Sequence, residues 1–176
     1  MHWVAFALVT YVVCVLQTTL MGWIEIHAIR PELPAMVATF YALLARRPDA
    51  LLAATLLGLA VDLNSAGPAT RGALGVHALA FGVAALAVVR VREVLDRDNV
   101  LTYVMLVAVW VFAAALAMAA HAGWARSSFA EFRADAGRGL HAALYSALVA
   151  PYLHGILRRL RVRLGLEQAR TYRVRT

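Results

Sequence analysis

Long apolar runs separated by short charged stretches form the pattern of the whole chain. The runs are continuous and rich in Ala, Leu and Val, as in LLAATLLGLAV (residues 51–61). In a bilayer, only helices and closed barrels satisfy every backbone hydrogen bond. Continuous runs favour helices, because barrel strands alternate between apolar and polar positions. The pattern therefore predicts an all-α integral membrane protein.

The apolar runs divide into six predicted membrane spans. The first extends from about Trp3 to Ile24, and the tryptophans near its two ends would lie about 30 Å apart in a helix, close to the thickness of the hydrocarbon layer. The second and third spans are short, at roughly 20 Å each, and a thinned bilayer or longer helix ends would accommodate them. The last five spans are expected at about 33–45, 50–63, 73–89, 100–121 and 140–157.

Two parts of unequal size are expected. Residues 1–157 are predicted to form a six-span transmembrane helical bundle, and residues 158–176 a basic cytoplasmic tail. Between the last two spans, residues 121–139 (HAGWARSSFAEFRADAGRG) are predicted to be a polar, partly amphipathic loop. The start of the tail, RRLRVRL, fits either contact with anionic lipid or a plain flank of the last span.

Composition agrees with a membrane protein. Hydrophobic residues make up 62% of the 176 and the mean hydropathy is +0.71, whereas a soluble domain is about 45–50% apolar. The net charge of +7 comes from arginine, because the chain has 17 arginines and no lysine. These arginines lie between apolar runs, so an excess of positive charge on the cytoplasmic side explains them better than binding to nucleic acid.

The distribution of the arginines predicts the orientation. With six spans both termini lie on one side of the membrane, and 12 of the 17 arginines fall on that side. Both termini are therefore expected in the cytoplasm. The arginines on that side are Arg46, Arg47, Arg90, Arg92, Arg97, Arg158, Arg159, Arg161, Arg163, Arg170, Arg173 and Arg175.

The sequence offers no recognisable catalytic or metal-binding constellation. It has no GxSxG, HExxH, P-loop or CxxC motif, and its single cysteine, Cys14, is expected to pack as a small hydrophobe. No two histidines are three or four residues apart, the spacing of metal ligands on one helix. Intramembrane aspartyl catalysis needs two carboxylates, and only Asp62 is expected at a suitable depth. No catalytic residue, metal or cofactor is assigned.

Asp62 ends an apolar run in the stretch GLAVDLNSAGPATRG (58–72). An anion is disfavoured at the C-terminal end of a helix by the helix dipole, so Asp62 needs compensation. Interfacial water, the amides of the turn Asn64–Gly67, or a partner on the next span such as His77 or Arg71 could each supply it.

Small residues recur at helical spacing on both sides of this turn. Such faces allow close helix packing in membranes, and here they would serve either contacts within the chain or a partner protein. On the third span they are Ala54 and Gly58, followed by Asp62, and on the fourth they are Gly75, Ala78 and Gly82.

The same region resembles the bacterial rod-shape-determining MreD family. The resemblance lies in a G-x-x-x-D pattern, an S-x-G-P pattern and an L-G-x-[NH]-A-L pattern, preceded by P-[DE]-L at Pro31 and Leu33. The insertion ATRGA (69–73) departs from the family, in which L-G follows the G-P turn directly, and lengthens the outer loop. The matching residues are Gly58 and Asp62, then Ser65, Gly67 and Pro68, then Leu74, Gly75, His77, Ala78 and Leu79.

The resemblance implies a non-catalytic scaffold of the cell-elongation complex in the bacterial inner membrane. Its expected partners are membrane lipid and an MreC-like single-span protein, with MreB, RodA and a class B penicillin-binding protein reached through the latter. The alternative is a subunit similar to the substrate-binding S components of vitamin transporters, which would need a polar pocket. The expected structural or partner-interface residues are Gly58, Asp62, Gly67, Pro68, Gly75, His77 and Gly82.

Overall fold

Six α-helices and no β-strand are formed by the residues that the computed structural model describes, which are 2–20, 22–27, 29–65, 74–96 and 99–166. The prediction of an all-α chain with six helices is confirmed. In chain order the helices are α1 (Trp3–Thr19), α2 (Leu33–Leu44), α3 (Arg47–Asn64), α4 (Val76–Val91), α5 (Val100–Arg126) and α6 (Phe129–Leu160).

The shortest helix, α2, forms the centre of the bundle, and all of its 12 residues are buried. Helix ends leave backbone groups without partners, and other helices supply them here. Ser146 and Gln17 each accept a hydrogen bond from a backbone N–H at the start of α2, both at 2.9 Å. At its end, Arg92 donates to the carbonyl oxygens of Ala42 and Ala45 at 2.7 and 2.6 Å. The predicted second span is therefore a core helix.

Helix lengths differ from the prediction. Among the described residues, only α5 and α6, with 27 and 32 residues, are long and apolar enough to cross a membrane by length and composition. The other four have 12 to 18 residues, so the prediction of only two short spans was wrong. In particular α1 ends at Thr19, and Trp23 lies beyond it. The apolar run continues past this end, which is why the sequence predicted a longer helix.

The segment predicted as a loop, 121–139, is mostly helical. Only Ser127 and Ser128 separate α5 from α6. Ser127 has a left-handed backbone (φ 51°), and the hydroxyl of Ser128 accepts a hydrogen bond from the N–H of Glu131 at 3.3 Å.

The stretch RRPD also interrupts the helices only briefly. Helix α3 begins at Arg47 with proline in its first turn, where a missing N–H costs nothing. RRPD thus interrupts the helices less than predicted.

Contacts between helix ends show an up-and-down arrangement. Arg92, just after α4, reaches the end of α2, Arg47 at the start of α3 pairs with Glu93, and the N–H of His2 donates to the carbonyl of Leu164 at 3.2 Å. The starts of α1, α3 and α5 therefore share one end of the bundle with the ends of α2, α4 and α6. We call this end the basic end, because it holds eight of the twelve arginines among the described residues.

The predicted tail begins inside the folded part of the chain. Helix α6 continues to Leu160, and Leu164 and Leu166 beyond it are buried in the core. Residues 167–176 lie outside the described residues. The boundary between bundle and tail at residue 157 stays a prediction.

Candidate interaction site at the junction of two helices

Asp62 lies in the last turn of α3 but caps the start of α4. Its carboxylate accepts hydrogen bonds from the backbone N–H groups of Gly75 at 2.9 Å, His77 at 3.2 Å and Ala78 at 3.1 Å. Gly75 is the residue immediately before α4, and the other two lie in its first turn. These N–H groups have no partner within the helix itself, so one buried side chain satisfies three of them.

The same carboxylate is paired with an imidazole. The Nδ1 atom of His77 lies 2.8 Å from Oδ1 of Asp62, and only 2% of the Asp62 side chain is exposed. The positive end of the α4 dipole favours an anion at this place, which offsets the unfavourable end of α3. Of the three compensations expected for Asp62, a partner on the next helix is therefore present. Residues 66–67 of the turn and Arg71 lie outside the described residues.

Gly58 permits the close approach of α3 and α4. A Cβ atom on Gly58 would lie 2.5 Å from the carbonyl oxygen of His77 and 2.7 Å from the Cα of Ala78, so the two backbones touch here. Gly75 has φ of +95°, a left-handed conformation that favours glycine. A Cβ on Gly82 would approach only the hydroxyl of Thr55, at 3.0 Å. The small faces of the two helices thus pack on each other.

Gly67 and Pro68, the other two residues predicted for the interface, lie outside the described residues. The structure brings together Gly58, Asp62, Gly75 and His77, and Gly82 lies farther along the same helix contact. Whether any of them contacts a partner protein stays a prediction.

Glu32 is a neighbour that the sequence analysis did not identify. Together with His77 and Phe81 it lines a small cavity of about 60 Å³ between α2, α4, α5 and α6. Burial raises the pKa of the Glu32 carboxyl above its ordinary value, and the positive charges of His77 and Arg30 oppose this rise. In the sequence, only the proline and the leucine of this P-E-L pattern were singled out. The sequence does not show that the carboxylate of Glu32, in the loop before α2, lies against α4.

The junction is built to hold helices together. Within the described parts of the chain, no group of three or more His, Cys, Asp or Glu side chains is placed to hold a metal ion. Asp62 has its hydrogen-bonding capacity engaged by α4. The chemistry supported by this arrangement is capping, ion pairing and close backbone packing.

One face of α4 points outward and borders a groove. The groove has a volume of about 650 Å³ and lies between α4 and α5, with Trp110 on its α5 side and His121 as its one ionisable lining residue among those described. Five alanines give the groove a lining of small side chains. They are Ala80, Ala84, Ala87, Ala113 and Ala117.

Comparison with models of protein families shows to which family the chain belongs. The model of the family described as rod shape-determining protein MreD matches residues 1–160. The chain belongs to the MreD family. This is a family of membrane proteins that determine rod shape and are non-catalytic, so the resemblance noted in the sequence is confirmed. Comparison with curated proteins and with solved structures finds no match.

Proposed function

We propose that this MreD-family protein is a multi-pass scaffold of the cell-elongation complex in the bacterial inner membrane, with both termini in the cytoplasm. Its task is to bind the transmembrane helix of an MreC-like single-span protein in the groove between α4 and α5. The groove is the observation that carries the proposal, because it is an apolar channel along most of α4. Family membership supplies the biological setting.

The lining of the groove suits a helix in lipid. Lipid tails are as apolar as leucine, so helices in membranes associate through close packing, which small side chains permit. The alanines of α4 and α5 provide such a surface, and Val83 at its edge is 67% exposed. A partner helix would cover it without burying a charge.

The junction at Asp62 supports the groove indirectly. Helix α4 forms one wall, and its start is fixed to α3 by the carboxylate of Asp62 and by the contact at Gly58. We propose that Asp62, Gly75 and His77 set the position of this wall. Gly58 faces α4 inside the chain and therefore acts on a partner only through α4.

The remaining partners follow from the single-span protein. We propose that it connects this scaffold to MreB, RodA and a class B penicillin-binding protein, and thereby to lateral peptidoglycan synthesis. The scaffold itself requires lipid but no cofactor and no nucleic acid.

The geometry does not favour a vitamin-binding subunit. Such a subunit needs a polar pocket, but the large groove is apolar and the cavity lined by Glu32 and His77 measures only about 60 Å³. The buried carboxylate of Asp62 is engaged in capping α4. A helix is the better occupant of the groove.

Site-specific photo-crosslinking in native membranes tests the proposal. A photoreactive phenylalanine replaces Val83, and the matched control replaces Leu148 on α6, an apolar position that is similarly exposed (67% and 73%). We expect an adduct with the MreC-like protein from position 83 and none from position 148.

The adducts are identified by mass spectrometry, which separates the alternatives. Equal adducts from both positions, or none from position 83, would remove the groove from the proposal. An adduct with the membrane subunit of an ATP-driven transporter would promote the vitamin-binding function instead. Asp62→Ala combined with the probe at position 83 should weaken the adduct if the junction positions α4.

A further inference from the structure

We propose that the exposed arginines of the basic end bind the phosphate groups of anionic phospholipids. We call these residues the arginine collar. The inference rests on the multi-pass placement proposed above and is independent of the partner in the groove. The collar consists of Arg46, Arg47, Arg90, Arg158, Arg159 and Arg163, which are all exposed.

The collar draws on three helices of the bundle. Its members lie at the start of α3, at the end of α4 and at the end of α6. A membrane leaflet meets a helical bundle along its whole perimeter, whereas one acidic protein covers one side. The distribution therefore favours lipid over a protein.

Exposed apolar side chains lie next to the collar and indicate its position relative to the hydrocarbon layer of the membrane. Val91, Ile156 and Val162 are exposed by 46%, 56% and 63% and lie among the arginines. This mixture is expected where hydrocarbon gives way to lipid headgroups. Arginine stems can lie along apolar surface there while the guanidinium reaches the phosphate layer, and its planar fork matches phosphate with two hydrogen bonds.

The two ends of the bundle differ in their balance of positive and negative side chains. Among the described residues, the basic end has eight arginines and three acids (Asp49, Glu93 and Asp96), whereas the opposite end has four arginines and five acids. Two of those four arginines form ion pairs with carboxylates on α6. An anionic surface therefore complements only the basic end.

Two arginines of the basic end are not part of the collar. Arg92 is buried and holds the end of α2, and Arg161 is only partly exposed. Arg47 also pairs with Glu93, but both side chains are more than half exposed, so a lipid phosphate can reach its guanidinium.

The test measures lipid retention. The full chain is reconstituted in vesicles with equal amounts of phosphatidylglycerol and phosphatidylcholine, and the lipids that stay bound on release are counted by native mass spectrometry. We expect enrichment of phosphatidylglycerol in the wild type. The double variant Arg158→Gln, Arg159→Gln should lower that enrichment by about fivefold per arginine at the affected site, and added salt should lower it in the wild type. Because both leaflets have the same composition, orientation does not affect the result.

The matched control removes the same charge from the opposite end. The double variant Arg30→Gln, Arg133→Gln changes two exposed arginines and should leave the enrichment unchanged. Equal loss in both double variants, no enrichment in the wild type, or no effect of the collar variant would overturn the proposal. The last result would point to an acidic cytoplasmic protein as the partner.

Folding and membrane insertion are checked separately. Thermal unfolding in phosphatidylcholine alone shows whether the Arg158→Gln, Arg159→Gln variant is folded. If this variant does not fold, the single variant Arg90→Gln and the salt series of the wild type test the proposal in its place. A chain that is extracted from vesicles by alkaline carbonate would contradict the multi-pass placement itself. An inserted chain without lipid preference would contradict only the collar.

Discussion

Asp62 is a helix cap that a neighbouring helix supplies. Helices are usually capped by the side chain of the residue just before their first turn, but in α4 that residue is Gly75, which has none. Its φ of +95° favours glycine, so a local cap is excluded by the backbone. The carboxylate of Asp62 takes its place, and the same bonds join α3 to α4.

Removing this carboxylate should destabilise the protein strongly. Asp62→Ala leaves three N–H groups of α4 without their acceptor, and we expect a loss of roughly 2 kcal/mol or more. Asp62→Asn keeps one acceptor oxygen and should lose less. Thermal unfolding in mild detergent measures both. Asp135→Asn, which breaks the surface ion pair with Arg138, is the control and should cost at most about 1 kcal/mol.

Glu32 should make stability depend on pH. Because burial raises its pKa in the folded state above the ordinary value of 4.5, the folded chain binds more protons than the unfolded chain between these two pKa values. The contribution of Glu32 to stability is therefore greatest below about pH 4.5 and is lost as pH rises through the folded pKa. Glu32→Gln should remove this fall and raise the melting temperature at neutral pH.

The matched variant for Glu32 is Glu25→Gln, because Glu25 lies in the same connection between α1 and α2 but is exposed. Melting temperatures of both variants and the wild type are compared from pH 4 to pH 8. An unchanged pH profile in Glu32→Gln, or the same change in Glu25→Gln, would show that Glu32 is not the responsible group.

At the scale of elements, the contact between α3 and α4 depends on Gly58. Gly58→Ala places a methyl group 2.5 Å from a backbone carbonyl oxygen of α4, so the helices must separate, at a cost of about 1–3 kcal/mol. Gly137→Ala in α6 is the control, because no atom outside its own helix lies within 4 Å of the added methyl group. It should be neutral or stabilise by about 0.5–1 kcal/mol. Equal melting temperatures for the two variants would contradict the close approach.

Helix types were predictable from the sequence, but several helix ends were not. Continuous apolar runs predicted six helices, and α2 begins and ends within about one residue of its prediction. The boundary between α5 and α6 was missed although Ser128 and Glu131 have the spacing of a capping box, because the charged residues around them suggested a loop. The end of α1 has no comparable signal, since apolar residues continue beyond Thr19.

The candidate site was only partly predictable, because some of its groups come from segments that are distant in the sequence. Short spacings predicted the contact of Gly58 and Asp62 with the next helix, and His77 was among the partners weighed for Asp62. The groups that fix α2, namely Gln17, Ser146 and Arg92, come from distant segments. No local pattern identifies such partners, because their role depends on the packing of the whole bundle.

At the scale of the whole molecule, a short buried helix is surrounded by longer ones. The two longest, α5 and α6, measure about 40 and 48 Å at 1.5 Å per residue, whereas the hydrocarbon layer is about 30 Å thick. If the basic end lies at one membrane surface, the turn at Ser127 and Ser128 projects beyond the other. This places the exposed Trp124 and Phe129 at headgroup level, where aromatic side chains are frequent.

This placement predicts opposite exposure of the two ends of the bundle. In a Cys14→Ser background, Val94→Cys puts an exposed thiol at the basic end and Ala125→Cys puts one at the opposite end. A membrane-impermeant maleimide applied to intact spheroplasts should label position 125, and position 94 should react only after lysis, because arginine-rich ends stay in the cytoplasm. The reverse pattern would place both termini outside. Labelling of both positions in intact spheroplasts would mean that α5 does not cross the membrane, and the proposed scaffold would then need a different contact surface from the groove.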